Sequence, residues 1–102
     1  MGVTQTGHID DTKTADTAAA PTGTIPTTFS QVIIQCEDNS IRWRADGTAP
    51  TTVIGQRMDP GDILILAGND YADLMRRFSY INATAGSNGS LQFTFLTGYD
   101  RA

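Results

Sequence analysis

The sequence has few of the features that hold small proteins together covalently or anchor them in membranes. Cys36 is the only cysteine, so no internal disulfide can form, which excludes the class of disulfide-stabilised secreted domains. No apolar run is long enough to span a bilayer, and the N-terminus lacks the basic start and apolar stretch of a signal peptide. We therefore expect a protein that is synthesised and folded in a cytoplasm and has no membrane partner.

Positive charge is also scarce. Seven Lys and Arg residues stand against 11 Asp and Glu residues, which gives a formal net charge of -4. Lys13 is the only lysine, and the arginines are spread among the carboxylates without forming an uninterrupted basic patch. Proteins that bind nucleic acid normally carry such a patch. The sequence therefore predicts no nucleic-acid partner.

Few residues offer catalytic or metal-binding chemistry. His8 is the only histidine, and Asp10 and Asp11 follow it in a polar segment that is poorly suited to holding ligands rigidly. Cys36 ends an apolar segment, where a small buried cysteine is commoner than a reactive thiol. We expect no catalytic residues, no metal ligands and no cofactor, and thus a protein that is not an enzyme.

The first 28 residues differ in composition from the rest of the chain, since they consist mainly of Thr, Ala, Gly and Asp. The sequence predicts an N-terminal arm over residues 1–28 and a β-sandwich domain over residues 29–102. Such a polar arm is either disordered in the free protein or an extended segment that becomes ordered on a neighbouring subunit. In the second case, the expected partner-binding residues are Val3, Ile9, Ile25 and Pro26.

Alternating side chains identify the main strands, because successive residues of a strand point to opposite faces. Around residues 41–45, one face holds two aliphatic side chains and the only tryptophan, while the other face holds arginines. Residues 91–96 alternate in the same way. Large aromatic side chains dominate a small core. The expected core anchors are Trp43, Phe93 and Phe95.

Further strands are predicted over residues 29–36, 52–57 and 77–82. The first should bury Val32, Ile34 and Cys36 on one face. The apolar run at residues 63–66 predicts a central strand that is covered on both faces. Polar turns at residues 37–40 and 86–89 predict two hairpins, the second on its Asn-Gly pair. About six short strands indicate an all-β fold, a small antiparallel sandwich or barrel.

Several motifs carry a family resemblance. They are Ile-Arg-Trp-Arg-Ala-Asp-Gly-Thr-Ala-Pro-Thr at residues 41–51, Gly55, Pro-Gly-Asp at residues 60–62, Arg77-Phe78, and Leu-Gln-Phe-Thr-Phe at residues 91–95. On these residues the chain from about residue 29 to residue 99 resembles small virion proteins of tailed bacteriophages. The resemblance implies a compact, jelly-roll-like β-sandwich with a structural role.

The resemblance leads to the hypothesis of a capsid decoration or cement protein on the outer surface of the phage head. Its partners would be the major capsid protein and further copies of itself, as a homotrimer or dimer. The N-terminal arm would bridge capsid subunits. A tail, neck or fibre-attachment component of the virion is an alternative, and so is a carbohydrate-binding β-sandwich module that uses Trp43.

Overall fold

The computed structural model describes residues 4–67 and 75–97, and its named elements are all β-strands. They are β1 (Thr4–Thr12), β2 (Gln31–Glu37), β3 (Ile41–Arg44), β4 (Gln56–Met58), β5 (Ile63–Ala67), β6 (Ser79–Asn82) and β7 (Ser90–Thr97). The strands form two antiparallel sheets, sheet A in the order β1-β7-β2-β5 and sheet B in the order β4-β3-β6. This architecture confirms the predicted all-β class and fits a small β-sandwich.

Sheet A buries the alternating residues that the sequence identified. In β2, Val32, Ile34 and Cys36 are fully buried, as predicted. In β7, Phe93 lies opposite Ile34 and Phe95 lies opposite Val32. Cross-strand pairs of aromatic and branched side chains stabilise a sheet and seal its inner face. Phe93 and Phe95, two of the three expected core anchors, are fully buried.

Sheet B covers this inner face with a smaller set of apolar side chains. Ile41, Phe78 and Tyr80 are buried. The Phe78 ring stands edge-on to Phe93, with 5.6 Å between ring centroids, so it joins the cores of the two sheets. Trp43, the third expected anchor, is half-buried at the margin of the core. Its ring stacks on Phe78 at a centroid distance of 5.5 Å.

The N-terminal segment belongs to the sandwich from Thr4 onward. It forms β1, which pairs with β7 from Thr4↔Thr97 to Thr12↔Ser90. Ile9 lies opposite Phe93 and is only 4% exposed. The β preference of threonine and one well-placed isoleucine are sufficient for an edge strand, because β7 supplies the hydrogen-bond partners. The predicted boundary near residue 28 therefore does not separate this segment from the fold.

β5 corrects one sequence expectation. The apolar run at residues 63–66 does not form a central strand, because β5 lies at the edge of sheet A and pairs with β2. Leu64 and Leu66 pack against the core, whereas Ile63 and Ile65 are 59% and 55% exposed on the outer face. A continuous apolar run does not by itself reveal whether both faces of a strand are covered.

Both predicted hairpins are wrong, since each turn carries the chain from one sheet to the other. Residues 37–40 connect β2 in sheet A with β3 in sheet B, and residues 86–89 connect β6 with β7. Asn82 fixes the second connection: its side chain accepts a hydrogen bond from Gly89 N (3.0 Å) and donates one to Asn88 Oδ1 (2.9 Å). Gly89 packs so tightly that a Cβ there would lie 2.4 Å from Ile41 Cγ2.

The sequence also predicts one or two helical turns over residues 71–77, most of which lie outside the described residues; Met75 and Arg76 are helical. Across the described ranges, the chain has no helix with the length and apolar character required to cross a membrane.

Candidate functional site

A surface cleft of about 480 Å³ lies beside the end of β3 and the start of β4. Its lining comes from residues 43–46 on one side and residues 54–56 on the other. We call it the Trp43 cleft. All of its lining residues lie between residues 43 and 56, so this stretch of the chain forms a surface and not only a turn.

An ion pair shapes one wall of the Trp43 cleft. The Arg44 guanidinium donates hydrogen bonds to both carboxylate oxygens of Asp46. Asp46 also accepts a hydrogen bond from Thr48 N at 3.1 Å. The bond from Arg44, followed by that from Thr48, lowers the pKa of Asp46 below its ordinary value. Asp46 is therefore ionised at neutral pH, and the positive charge of Arg44 in the same wall neutralises it.

The opposite wall includes Ile54 and Gly55 of the 51–55 loop, which polar contacts hold in place. Thr51 Oγ1 accepts hydrogen bonds from Val53 N (3.2 Å) and Ile54 N (2.9 Å). The Arg42 guanidinium also donates hydrogen bonds to the carbonyl oxygens of Thr52 (3.1 Å) and Gly55 (3.0 Å). These bonds satisfy the backbone of a loop that would otherwise rely on solvent.

The 51–55 loop displays apolar side chains to solvent. Val53 is 74% exposed and Ile54 is 54% exposed. Two adjacent aliphatic side chains on a loop held by side-chain hydrogen bonds form a preorganised contact, since little conformational freedom remains to be lost on binding. The arrangement suits docking onto another surface.

Trp43 contributes the aromatic part of the cleft. Its Nε1 is buried and has no hydrogen-bond partner among the described residues. In the parts of the chain that the structure describes, no group of three or more His, Cys, Asp or Glu side chains could hold a metal ion.

The expected partner-binding residues of the N-terminal segment do not meet at this cleft. Ile9 is part of the chain's own core, and Val3 lies outside the described residues. Ile25 and Pro26 are half-buried and line a separate small cleft of about 180 Å³ together with Thr27, Phe29 and Arg76.

A buried polar cluster, which sequence reasoning missed, ties the N-terminal segment to sheet B. Tyr80 Oη donates a hydrogen bond to the Asp11 carboxylate. Thr22 donates to Asp11 Oδ1 from its backbone N (3.2 Å) and its hydroxyl (2.6 Å). Lys13 Nζ lies 4.4 Å from the centroid of the Tyr80 ring, a cation–π contact. Asp11 and Lys13 are both buried.

The pKa values of this cluster follow from burial and its hydrogen bonds. Burial acts to raise the pKa of Asp11, but the hydrogen bonds from Thr22 and Tyr80 outweigh it, so the pKa is lowered. Burial lowers the pKa of Lys13, an effect that the charge of Asp11 opposes. Burial, together with the bond to Asp11, raises the pKa of Tyr80. The cluster thus keeps an ionised carboxylate inside the fold.

Cys36 and His8, the two reactive side-chain types that the sequence offered once each, have ordinary structural environments. Cys36 is buried, and this burial raises the pKa of its thiol to about 11. His8 lies on the exposed outer face of sheet A, where its ring contacts Gln92 Oε1 (2.6 Å) and Thr94 Oγ1 (3.2 Å). Gln92 in turn donates to Asp10 at 2.6 Å.

Comparisons of this chain with protein-family models, with curated proteins and with solved structures found no match.

Proposed function

We propose that this chain is a structural protein of a tailed-phage virion, a capsid decoration or cement protein that binds the outer surface of the head. The resemblance of residues 41–51 and 55 to such proteins supports the proposal, as does the position of residues 43–46 and 55 in the lining of the Trp43 cleft. The observation that carries it is the display of Val53 and Ile54 on a loop held by Arg42 and Thr51. The jelly-roll-like topology that the resemblance implies stays a prediction.

The mechanism is contact reinforcement by many identical copies. Full burial of one valine or isoleucine side chain is worth roughly 1.5–3 kcal/mol, so the 51–55 loop alone gives a modest contact. The major capsid protein presents the same surface repeatedly over the head. Many modest contacts made on one lattice oppose its disassembly together.

Bridging between capsid subunits would use the exposed part of the N-terminal segment. Ile9 is committed to the chain's own core and cannot contact a neighbour without leaving β1. Ile25 and Pro26 remain half-exposed beside their small cleft. We therefore assign bridging to residues 25–28, with the Trp43 cleft as the main contact on the major capsid protein.

The first test is a cryo-EM reconstruction of intact particles from the source of this chain, combined with quantitative mass spectrometry of the copy number. Density over the capsid lattice, at a copy number comparable with that of the major capsid protein, would support decoration. Density at a single vertex with a few copies would assign the chain to the tail or neck. Absence from the particle would overturn the virion proposal.

A second test addresses the docking surface itself. The double variant Val53→Ser, Ile54→Ser should lose most binding to heads that lack the chain, measured by co-sedimentation. The matched control Val53→Ile, Ile54→Val keeps both positions apolar and should bind as the wild type does. Equal binding by the serine variant would show that the 51–55 loop is not the contact.

A carbohydrate-binding module is the second candidate, and the position of Trp43 in the cleft favours it, because aromatic rings stack on sugars. Trp43 is the only tryptophan, so its fluorescence reports on the cleft without background. Saturable quenching or a spectral shift with one class of glycan, together with calorimetric binding of that glycan that Trp43→Leu loses, would favour this function. An unchanged spectrum across a glycan panel would reject it.

A further inference from the structure

The four strands at the sheet edges differ in how they are protected against pairing with another chain. β1 carries a register irregularity between Gln5 and Gly7 and has charged side chains at Asp10 and Asp11. β4 has only three residues, one of them Arg57. The outer edge of β6 is bridged by Ala19, which exchanges two backbone hydrogen bonds with Tyr80. Irregularities, charges, short length and covering segments all hinder edge-to-edge association.

β5 has none of these protections among the described residues. Its sequence, Ile-Leu-Ile-Leu-Ala, contains no charge, proline or glycine. Ile63 and Ile65 are more than half exposed on the outer face, next to the half-buried Ile33 of β2. An unprotected, apolar edge strand is a template for strand addition.

The hydrogen-bond pattern shows which backbone groups of β5 face β2 and which face away from it. Cys36 N donates to Asp62 O (3.0 Å), and Cys36 O accepts from Gly61 N (2.8 Å). Hydrogen-bonded pairs alternate along an antiparallel ladder, so Leu64 and Leu66 direct their N–H and C=O groups toward β2. The corresponding groups of Ile63, Ile65 and Ala67 point away from the sheet.

We propose that β5 is a homodimerisation edge on which the β5 strand of a second copy pairs antiparallel, with the two-fold axis beside Ile65. In this register Ile65 faces Ile65 of the second copy, and Ile63 faces its Ala67. The backbone N–H and C=O groups of Ile63, Ile65 and Ala67, which point away from β2, then form hydrogen bonds with the second copy. The two four-stranded sheets join into one continuous sheet of eight strands.

A second copy is the occupant that fits the chemistry of this edge. β5 is uncharged, so two copies can approach without repulsion between facing side chains. Asp59 and Asp62 both precede β5, and an antiparallel arrangement moves the acidic turns of the two copies to opposite ends of the joint. The protected β1 edge stops further addition, which gives a closed dimer and not a filament.

The size of the contact sets its strength. A joint of five residues per strand buries less than the roughly 1,200 Å² at which standard-size interfaces begin. The dimer is therefore weak and reversible, with a dissociation constant in the micromolar range or above. The inference concerns the purified chain and does not rest on the virion proposal.

Sedimentation velocity over a concentration series of the purified full chain tests the proposal. The wild type should shift from monomer to dimer as its concentration rises from about 1 µM to about 1 mM, and Ile65→Lys should remain monomeric. Ala85→Lys is the matched control: it adds the same charge at an exposed position in the connection between β6 and β7 and should dimerise normally. A wild type that is monomeric throughout, or an Ile65→Lys variant that still dimerises, would overturn the proposal.

Cysteine cross-linking tests the register. Facing Cα atoms in a hydrogen-bonded antiparallel pair lie about 5.5 Å apart, a separation that a disulfide can span. Ile65→Cys should oxidise to a homodimer. Ile63→Cys should cross-link with Ala67→Cys and not with itself. Cys36 is buried and its thiol pKa is about 11, so it should not form disulfides with the introduced cysteines. Equal cross-linking of Ile63→Cys with itself and with Ala67→Cys would reject the register.

Discussion

Removing the Tyr80 hydroxyl should cost more stability than its size suggests, because that hydroxyl connects the two sheets. Asp11 lies in β1 of sheet A and Tyr80 in β6 of sheet B. Tyr80→Phe keeps the ring, its packing and its contact with Lys13, and removes only the donor to the Asp11 carboxylate. The loss of a hydrogen bond to a buried charged group costs about 1.5–3 kcal/mol. We expect a fall of about 2 kcal/mol in the free energy of unfolding at pH 7.

The loss should depend on pH in a definite direction. The folded-state pKa of Asp11 lies below its ordinary value of 3.8. A carboxylate whose pKa is lowered by folding contributes stability above about pH 4, and this contribution is lost as the pH falls through the folded-state pKa. The difference between wild type and Tyr80→Phe should therefore be largest at neutral pH and should shrink on acidification below about pH 4.

Urea unfolding followed by the fluorescence of Trp43 measures both quantities. The matched control is Thr94→Val, which removes a hydroxyl that bonds to His8 on the exposed outer face of sheet A. This control should change stability by no more than about 0.5 kcal/mol. A loss below about 0.5 kcal/mol in Tyr80→Phe, or a loss that stays constant between pH 7 and pH 3, would refute the role assigned to the cluster.

Three further predictions concern the same fold. A lysine-specific protease should cut the native chain slowly at its single lysine, the buried Lys13, and clearly faster in Tyr80→Phe; equal rates would show that the cluster does not hold the segment. Phe93→Ala should lower the free energy of unfolding by about 3–5 kcal/mol in the same urea assay, because it opens a cavity beside Phe78, and a loss below about 1 kcal/mol would contradict its position in the core. Cys36 should react with a thiol reagent at pH 8 only after unfolding, since burial raises its pKa to about 11; rapid reaction of the native protein would disprove that burial.

Period-two alternation made the inner faces predictable. Val32 and Ile34 in β2, and Phe93 and Phe95 in β7, lie where the pattern placed them, because one face of each strand must be apolar if it is to be buried. The same pattern contains no information about which strand is the neighbour. For this reason the polar turns at residues 37–40 and 86–89 predict hairpins, although they connect different sheets.

Composition gave a wrong expectation for residues 4–12, because the burial of this segment depends on a single residue. Residues 4–12 contain little apolar surface, which predicts a segment outside the core, yet Ile9 is buried and lies opposite Phe93. Of the candidate site, the sequence singles out only Trp43, which its alternation assigns to the core and not to a cleft. The clamp from Arg42 to the carbonyl oxygens of the 51–55 loop could not be predicted, because it depends on how β3 and the following loop meet in space.

The placement of β7 between β1 and β2 has a consequence for biosynthesis. β1 emerges from the ribosome first but has no strand partner in its sheet until residues 90–97 have also emerged. Until then it stays unpaired in this sheet, and contacts between such distant segments form slowly. A waiting strand rich in β-branched apolar residues would recruit other chains. The threonine, glycine and aspartate of residues 4–12 avoid this, so the polarity of the segment is suited to a strand that pairs last.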